Sequence, residues 1–79
     1  MLPKLKTILQ EIFNLTDNEF SETLTKDEIS SWDSLKHMQL ITTLEKEFLI
    51  DLTVHEIVSM QSISDILSTL ENKGVKVNE

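Results

Sequence analysis

Cysteine is absent from this chain of 79 residues, and glycine and proline occur once each. Without cysteine there is no disulfide framework and no thiolate metal site. With one glycine and one proline, the chain lacks the turn punctuation that all-β folds use. Arginine is missing too. The seven basic residues are all lysines, set against fourteen acids, for a formal charge of −7. That balance argues against nucleic-acid binding, because phosphate contacts need clustered Lys or Arg. It fits a soluble protein, and it fits partners with basic patches. Histidine occurs only as His37 and His55, too few for a histidine-rich metal site. No run approaches the roughly 20 apolar residues that span a membrane. Met1-Leu2-Pro3-Lys4 has no long apolar run and no small-residue cleavage site, so no signal peptide is read there. A cytoplasmic setting is expected.

What remains is helical periodicity in one small domain. Such a chain buries about 60–65% of its unfolded surface, so its core is modest. Leu5, Ile8, Leu9, Ile12 and Phe13 follow the i, i+3, i+4, i+7, i+8 spacing of one helix face. Pro3 suits the start of that helix, where its missing N–H costs nothing. From Asn14 to Trp32 the chain turns polar and acid-rich. Phe20, Leu24 and Ile29 are spaced too irregularly for a long helix. Thr16-Asp17-Asn18-Glu19 and Thr25-Lys26-Asp27-Glu28 both match the capping-box pattern. The reading is a long loop with one or two helical turns. Ordered loops of that length are uncommon in small domains and often functional.

A second helix is expected from Asp33 or Ser34 to about Phe48. Its stripe is Leu35, Met38, Ile41, Leu44 and Phe48, widened by Leu40. Thr53-Val54-His55-Glu56 is a third capping box and opens a short helix with Ile57 and Val58. Ser62 caps a last helix with Ile63, Ile66, Leu67 and Leu70 on one face, and Gly74 is its stop. The fold class is therefore all-α: a four-helix bundle with a long first loop and a short third helix. The domain is assigned to residues 1–74, with a frayed tail over 75–79.

Trp32-Asp33-Ser34-Leu35 lies at the seam between the polar loop and the second helix. It places Ser34 in a first helical turn, near the surface, beside a carboxylate. As a nucleophile Ser34 lacks a partner set. His37, three residues on, is read as solvated. No orienting acid, oxyanion hole or Gly-rich elbow accompanies it. Glu45, Glu47, Asp51 and Glu56 lack EF-hand spacing and its loop glycine, so no metal site is assigned.

The arrangement resembles the acyl carrier protein family, including peptidyl and D-alanyl carriers, over nearly the whole chain. Asp33-Ser34-Leu35 opens a helix; Leu40-Ile41-Thr42-Thr43-Leu44-Glu45-Lys46-Glu47-Phe48 ends it in an acidic pair and Phe. Ile50-Asp51-Leu52, the short helix after Thr53 and the last amphipathic helix follow. The resemblance implies 4′-phosphopantetheine attached at Ser34, moved there from coenzyme A by a phosphopantetheinyl transferase. The terminal thiol of that arm would carry an acyl or aminoacyl group as a thioester. The chain itself would then need no cysteine and no catalytic activity. Asp33 can cap the helix, and the family links this Asp to metal binding during arm transfer. The arm's phosphate would sit at a helix N-terminus, where the dipole favours it.

Further partners implied are an acyl- or aminoacyl-loading ligase and an acyltransferase or condensing enzyme, acting on a monomeric carrier. Leu35, Met38, Gln39 and Glu45 would face partners, with Leu52, Ile57 and Met60 closing a groove for the carried chain. On periodicity alone, the apolar ones among these are core. Trp32 is expected to pack over the loop; a partner contact is the sharper alternative. In fatty-acid carriers the second helix is densely acidic. Here Lys36, His37, Gln39 and Lys46 take much of that surface. The expectation is a specialised carrier, serving surface-polysaccharide decoration or a polyketide, peptide or modified-lipid route. The rival readings are the same bundle used only as an interaction subunit, and an unrelated helical adaptor.

Overall fold

Pro3 starts the first helix, α1, which runs Pro3–Phe13. The computed structural model describes residues 1–78. Leu5, Ile8, Leu9, Ile12 and Phe13, the predicted apolar face, are all buried. The remaining helices are α2 (Ser34–Phe48), α3 (Val54–Ser59) and α4 (Ile63–Asn72). One 3-10 turn, Lys26–Glu28, interrupts the long loop. Among the described residues there is no strand, and no helix is long and apolar enough to cross a membrane. The Cα radius of gyration is 11.4 Å, matching about 12 Å for a single compact unit of this length.

The α1 and α2 helices pack together and run antiparallel. Both ends show it. Lys4 Nζ, at the start of α1, donates to the Glu47 carbonyl at 3.1 Å, near the end of α2. There its charge also opposes the negative end of the helix dipole. Ser31 Oγ, just before α2, donates to the Phe13 carbonyl at 2.9 Å, at the end of α1.

The long loop is ordered by its own polar groups. Thr16 N–H donates to Glu19 Oε1 at 2.9 Å, and Glu19 N–H donates to Thr16 Oγ1 at 3.3 Å, closing the first capping box. Thr25 N–H donates to Glu28 Oε1 at 3.0 Å. The loop also bridges Thr25 to Ser62 in antiparallel fashion. Lys26 N–H donates to the Gln61 carbonyl at 2.7 Å, and Ile63 N–H donates to the Leu24 carbonyl at 2.9 Å. Ile29 is buried, and Phe20 and Leu24 pack against the core from its edge.

Local signals also set the ends of the later helices. Thr53 and Glu56 form the predicted capping box of α3, with bonds of 2.9 and 3.1 Å. Ser62 Oγ accepts from Asp65 N–H at 3.0 Å and caps α4. Beyond α4, Gly74 takes a φ of +89°. Its N–H donates to the Glu71 carbonyl at 2.9 Å, and Val75 N–H donates to the Leu70 carbonyl at 3.0 Å. This pair of bonds is the Schellman stop that glycine favours. The α2 helix ends differently. Leu49 sits at φ +53°, a conformation that costs a non-glycine residue about 1–2 kcal/mol, with its side chain 90% exposed.

Two expectations about the packing are corrected. The tail does not fray after residue 74. Val77 is 1% exposed, and its carbonyl accepts from Leu2 N–H at 2.6 Å. Of the two valines in the tail, Val75 packs at the edge of the core and Val77 enters it, and the chain's start holds Val77 there. Glu79 lies outside the described residues. Val77→Ala is accordingly expected to cost about 1–2 kcal/mol in chemical denaturation; a change under about 0.3 kcal/mol would mark a loose tail.

The second correction concerns α2. Periodicity puts Leu35 and Met38 on its core stripe, yet they are 82% and 52% exposed. The buried face is Leu40, Ile41 and Leu44, with Phe48 packed at its edge. The apolar residues of α2 cover more than one face, so periodicity alone allowed two registers. Contacts with the other elements select the one that leaves Leu35 and Met38 outside.

Candidate functional site

Asp33 is the N-cap of α2, with extended backbone, and its Oδ1 accepts from Lys36 N–H at 2.9 Å. That bond satisfies one of the amides a helix start leaves without a ladder partner. Ser34 is therefore the first residue of α2. It is exposed, as are Asp33, Leu35, Met38 and Gln39. Its N–H and that of Leu35 stand in the first turn, outside the i→i−4 ladder. An exposed hydroxyl beside such amides suits a phosphodiester: the oxygen is reachable, and the dipole favours added negative charge.

His37 overturns the expectation of a solvated side chain. Trp32 Nε1–H donates to His37 Nδ1 at 2.9 Å. An indole N–H can only donate, so Nδ1 accepts and the ring proton lies on Nε2. That proton goes to the Ile57 carbonyl, 2.7 Å away. Both ring nitrogens are engaged, so His37 is no general base for Ser34. Instead it ties the pre-helix loop, α2 and α3 together. Sequence reading missed this role. The available signal was a Trp–His pair five residues apart across a helix start.

Trp32 is 4% exposed. Its ring lies 4.6 Å from that of Phe13 and 6.0 Å, stacked, from the His37 imidazole. The partner contact considered for Trp32 is thus corrected to a core role. A ring packed on α1 and hydrogen-bonded within the chain offers no face to another protein.

The other partner-facing candidates separate into two groups. Leu35, Met38 and Gln39 are exposed around Ser34. Glu45 is half-buried, and its Oε2 accepts from Leu52 N–H at 3.0 Å, so it holds the α2–α3 connection. Leu52 and Met60 are core residues, and Ile57 packs at the edge of the core. All three pack in or against the core, as their periodicity implies, and none of them lines an open groove in this structure. Val54 and Val58 are exposed large apolar residues on α3 that the sequence reading did not single out. Their i, i+4 spacing puts them on one face.

A second tie fixes α3 to α4. Lys73 Nζ lies 2.7 Å from Glu56 Oε1. The Lys73 hydrogen bond, then the Thr53 N–H, hold the Glu56 carboxyl below the usual glutamate range. A carboxylate whose folded pKa is depressed stabilises the fold above its unfolded value, and that contribution is lost as pH falls through the folded one. The wild type's Tm advantage over Glu56→Gln should therefore be full at neutral pH and shrink below about pH 4.3. Thermal unfolding of both proteins from pH 7 to pH 3 reads it; an advantage constant with pH would mean that the carboxylate charge is not involved.

Comparison with known proteins adds one finding. A family model described as phosphopantetheine attachment site matches residues 3–70. No curated protein matches the chain significantly, and no solved structure does. The matched span runs from α1 to within α4 and includes the exposed serine at the start of α2. The chain therefore belongs to the phosphopantetheine-attachment family, that of the acyl carrier proteins: a non-catalytic carrier domain whose family bears covalently attached 4′-phosphopantetheine.

Proposed function

We propose that Ser34 is the attachment residue and that the chain presents a thioester-bound acyl or aminoacyl group to partner enzymes. The observation that carries this reading is an exposed serine at the first position of a helix capped by its neighbour Asp33. In the attachment step, Ser34 Oγ bonds to the phosphorus that bears the pantetheine arm in coenzyme A. The pyrophosphate P–O bond breaks, and adenosine 3′,5′-bisphosphate leaves. The serine proton passes to a base on the phosphopantetheinyl transferase. The arm supplies the thiol that this chain lacks. The new phosphodiester sits beside the first-turn amides of α2.

Leu35, Met38 and Gln39 form the face that the transferase, the loading ligase and the acyltransferase or condensing enzyme meet. This face is apolar and neutral where a fatty-acid carrier presents acids. Its client is accordingly a specialised route, such as surface-polysaccharide decoration or a secondary-metabolite or modified-lipid assembly, rather than general fatty-acid synthesis. Asp33 serves the first turn as cap, and Glu45 acts behind the face by fixing the α2–α3 connection.

The direct experiment is incubation with coenzyme A, Mg²⁺ and a broad-specificity transferase, followed by intact mass. The expected result is one added arm. No gain with several transferases would leave the bundle an interaction subunit. Loading and turnover equal to a dedicated fatty-acid carrier, by a generic elongation set, would remove the specialised client.

A further inference from the structure

The Trp32–His37–Ile57 relay brackets Ser34. Asp33 is the N-cap of α2, so Trp32 stands one residue before the cap and His37 is the fourth residue of the helix. At these two places side chains commonly pack together and fix the angle at which a chain enters a helix. Here the staple is more than apolar contact. The two rings are stacked with centroids 6.0 Å apart, and Trp32 Nε1–H donates to His37 Nδ1 at 2.9 Å. The backbone closes the same turn, with His37 N–H donating to the Asp33 carbonyl at 2.8 Å.

The loop side of the staple is anchored. Trp32 is 4% exposed and packs on Phe13 of α1. Its N–H donates to the Ile29 carbonyl at 3.0 Å, and Ser31 Oγ donates to the Phe13 carbonyl at 2.9 Å. Ser34 has no such tie. It is exposed, and among the described residues no hydrogen bond that holds the fold uses its hydroxyl. Its backbone is therefore held by the Asp33 cap within the turn and by the staple around it. Arm attachment is sensitive to that placement. Ser34 Oγ must bond to phosphorus in line with the pyrophosphate P–O bond that breaks, as adenosine 3′,5′-bisphosphate leaves and a transferase base takes the serine proton. A misplacement of about 1 Å can cost such a step about a hundredfold.

Building on the carrier reading, we infer that Trp32 and His37 are positioning residues for arm attachment: their staple holds Ser34 so that its hydroxyl meets the transferase-bound coenzyme A in a reactive orientation. They act through the backbone of Ser34. The relay's hydrogen bonds use none of Leu35, Met38 and Gln39, the exposed residues that the transferase meets. Loosening the staple slows the step and leaves docking unchanged.

The test is transferase kinetics with saturating coenzyme A and varied carrier, read by intact mass, with circular dichroism at the assay temperature. His37→Ala is expected to lower kcat about tenfold and to keep the carrier KM within about twofold. A variant that is merely less folded presents less competent carrier, so its apparent KM rises while kcat at saturation stays. Two further variants divide the imidazole. In His37→Asn the amide oxygen stands where Nδ1 accepts from Trp32; in His37→Gln the longer amide reaches toward the Ile57 carbonyl. The asparagine variant should recover kcat to within about threefold of the wild type, and the glutamine variant should not. A His37→Ala kcat within about twofold of the wild type would overturn the inference. So would a His37→Asn kcat no higher than that of His37→Gln, and this pair decides even where His37→Ala does not fold. A wild-type protein that gains no arm is a different failure: it removes the carrier reading itself.

Discussion

Ser34→Ala should abolish the mass gain completely while leaving stability within about 0.5 kcal/mol of the wild type. The two halves follow from separate observations. The hydroxyl is the only nucleophilic atom of the residue, and alanine removes it. The side chain is exposed at the first position of α2, and among the described residues no hydrogen bond that holds the fold uses its hydroxyl. The cap belongs to Asp33, whose Oδ1 holds Lys36 N–H at 2.9 Å whatever stands at position 34. Alanine is also an excellent helix former. Intact mass after transferase treatment checks the first half and urea denaturation the second. A retained gain would move the attachment to another hydroxyl, Ser30 and Ser31 being the nearest in sequence. Loss of folding would assign Ser34 a structural duty that its exposure contradicts.

The position of Ser34 was legible because it depends on local chemistry. An Asp before an amphipathic segment marks a helix start, and the same logic located Thr53, Ser62 and Gly74. Each of these features acts within four residues of itself. The α1 and α4 faces were legible for a related reason: each carries a single apolar stripe, so one register is available. The α2 helix carries apolar residues on more than one side, so periodicity alone does not select its buried face. The deciding contacts come from other elements: α1 packs against α2, and the Ile57 carbonyl of α3 holds His37. Val77 was lost to the same cause. Two valines two residues apart, Val75 and Val77, carry no helical-period signal, and the burial of Val77 rests on meeting Leu2 across nearly the full length of the chain. The sequence thus locates the exposed serine at the start of α2, while the Trp32–His37–Ile57 hydrogen bonds beside it need the folded chain.

Trp32 is where that non-local part is most exposed to experiment. Trp32→Ala is expected to cost about 3–5 kcal/mol, the range for a buried aromatic cut back to a methyl group. A domain of this size is stable by about 4–12 kcal/mol, so the loss is a large share of the total. It corresponds to a fall in Tm of about 15–30 °C. Two effects combine. The ring packed 4.6 Å from Phe13 leaves a cavity between α1 and the start of α2, and His37 Nδ1 loses the donor that fixes its tautomer. Trp32→Phe separates them. It keeps most of the aromatic packing and deletes the indole N–H, so its cost should fall to about 1–3 kcal/mol, the penalty for a buried acceptor left without its partner. Denaturation of the two variants with circular dichroism gives both numbers. A Trp32→Ala protein as stable as the wild type would return Trp32 to the surface and to partner recognition. A Trp32→Phe cost equal to that of Trp32→Ala would place the indole hydrogen bond, rather than ring packing, at the centre of the relay.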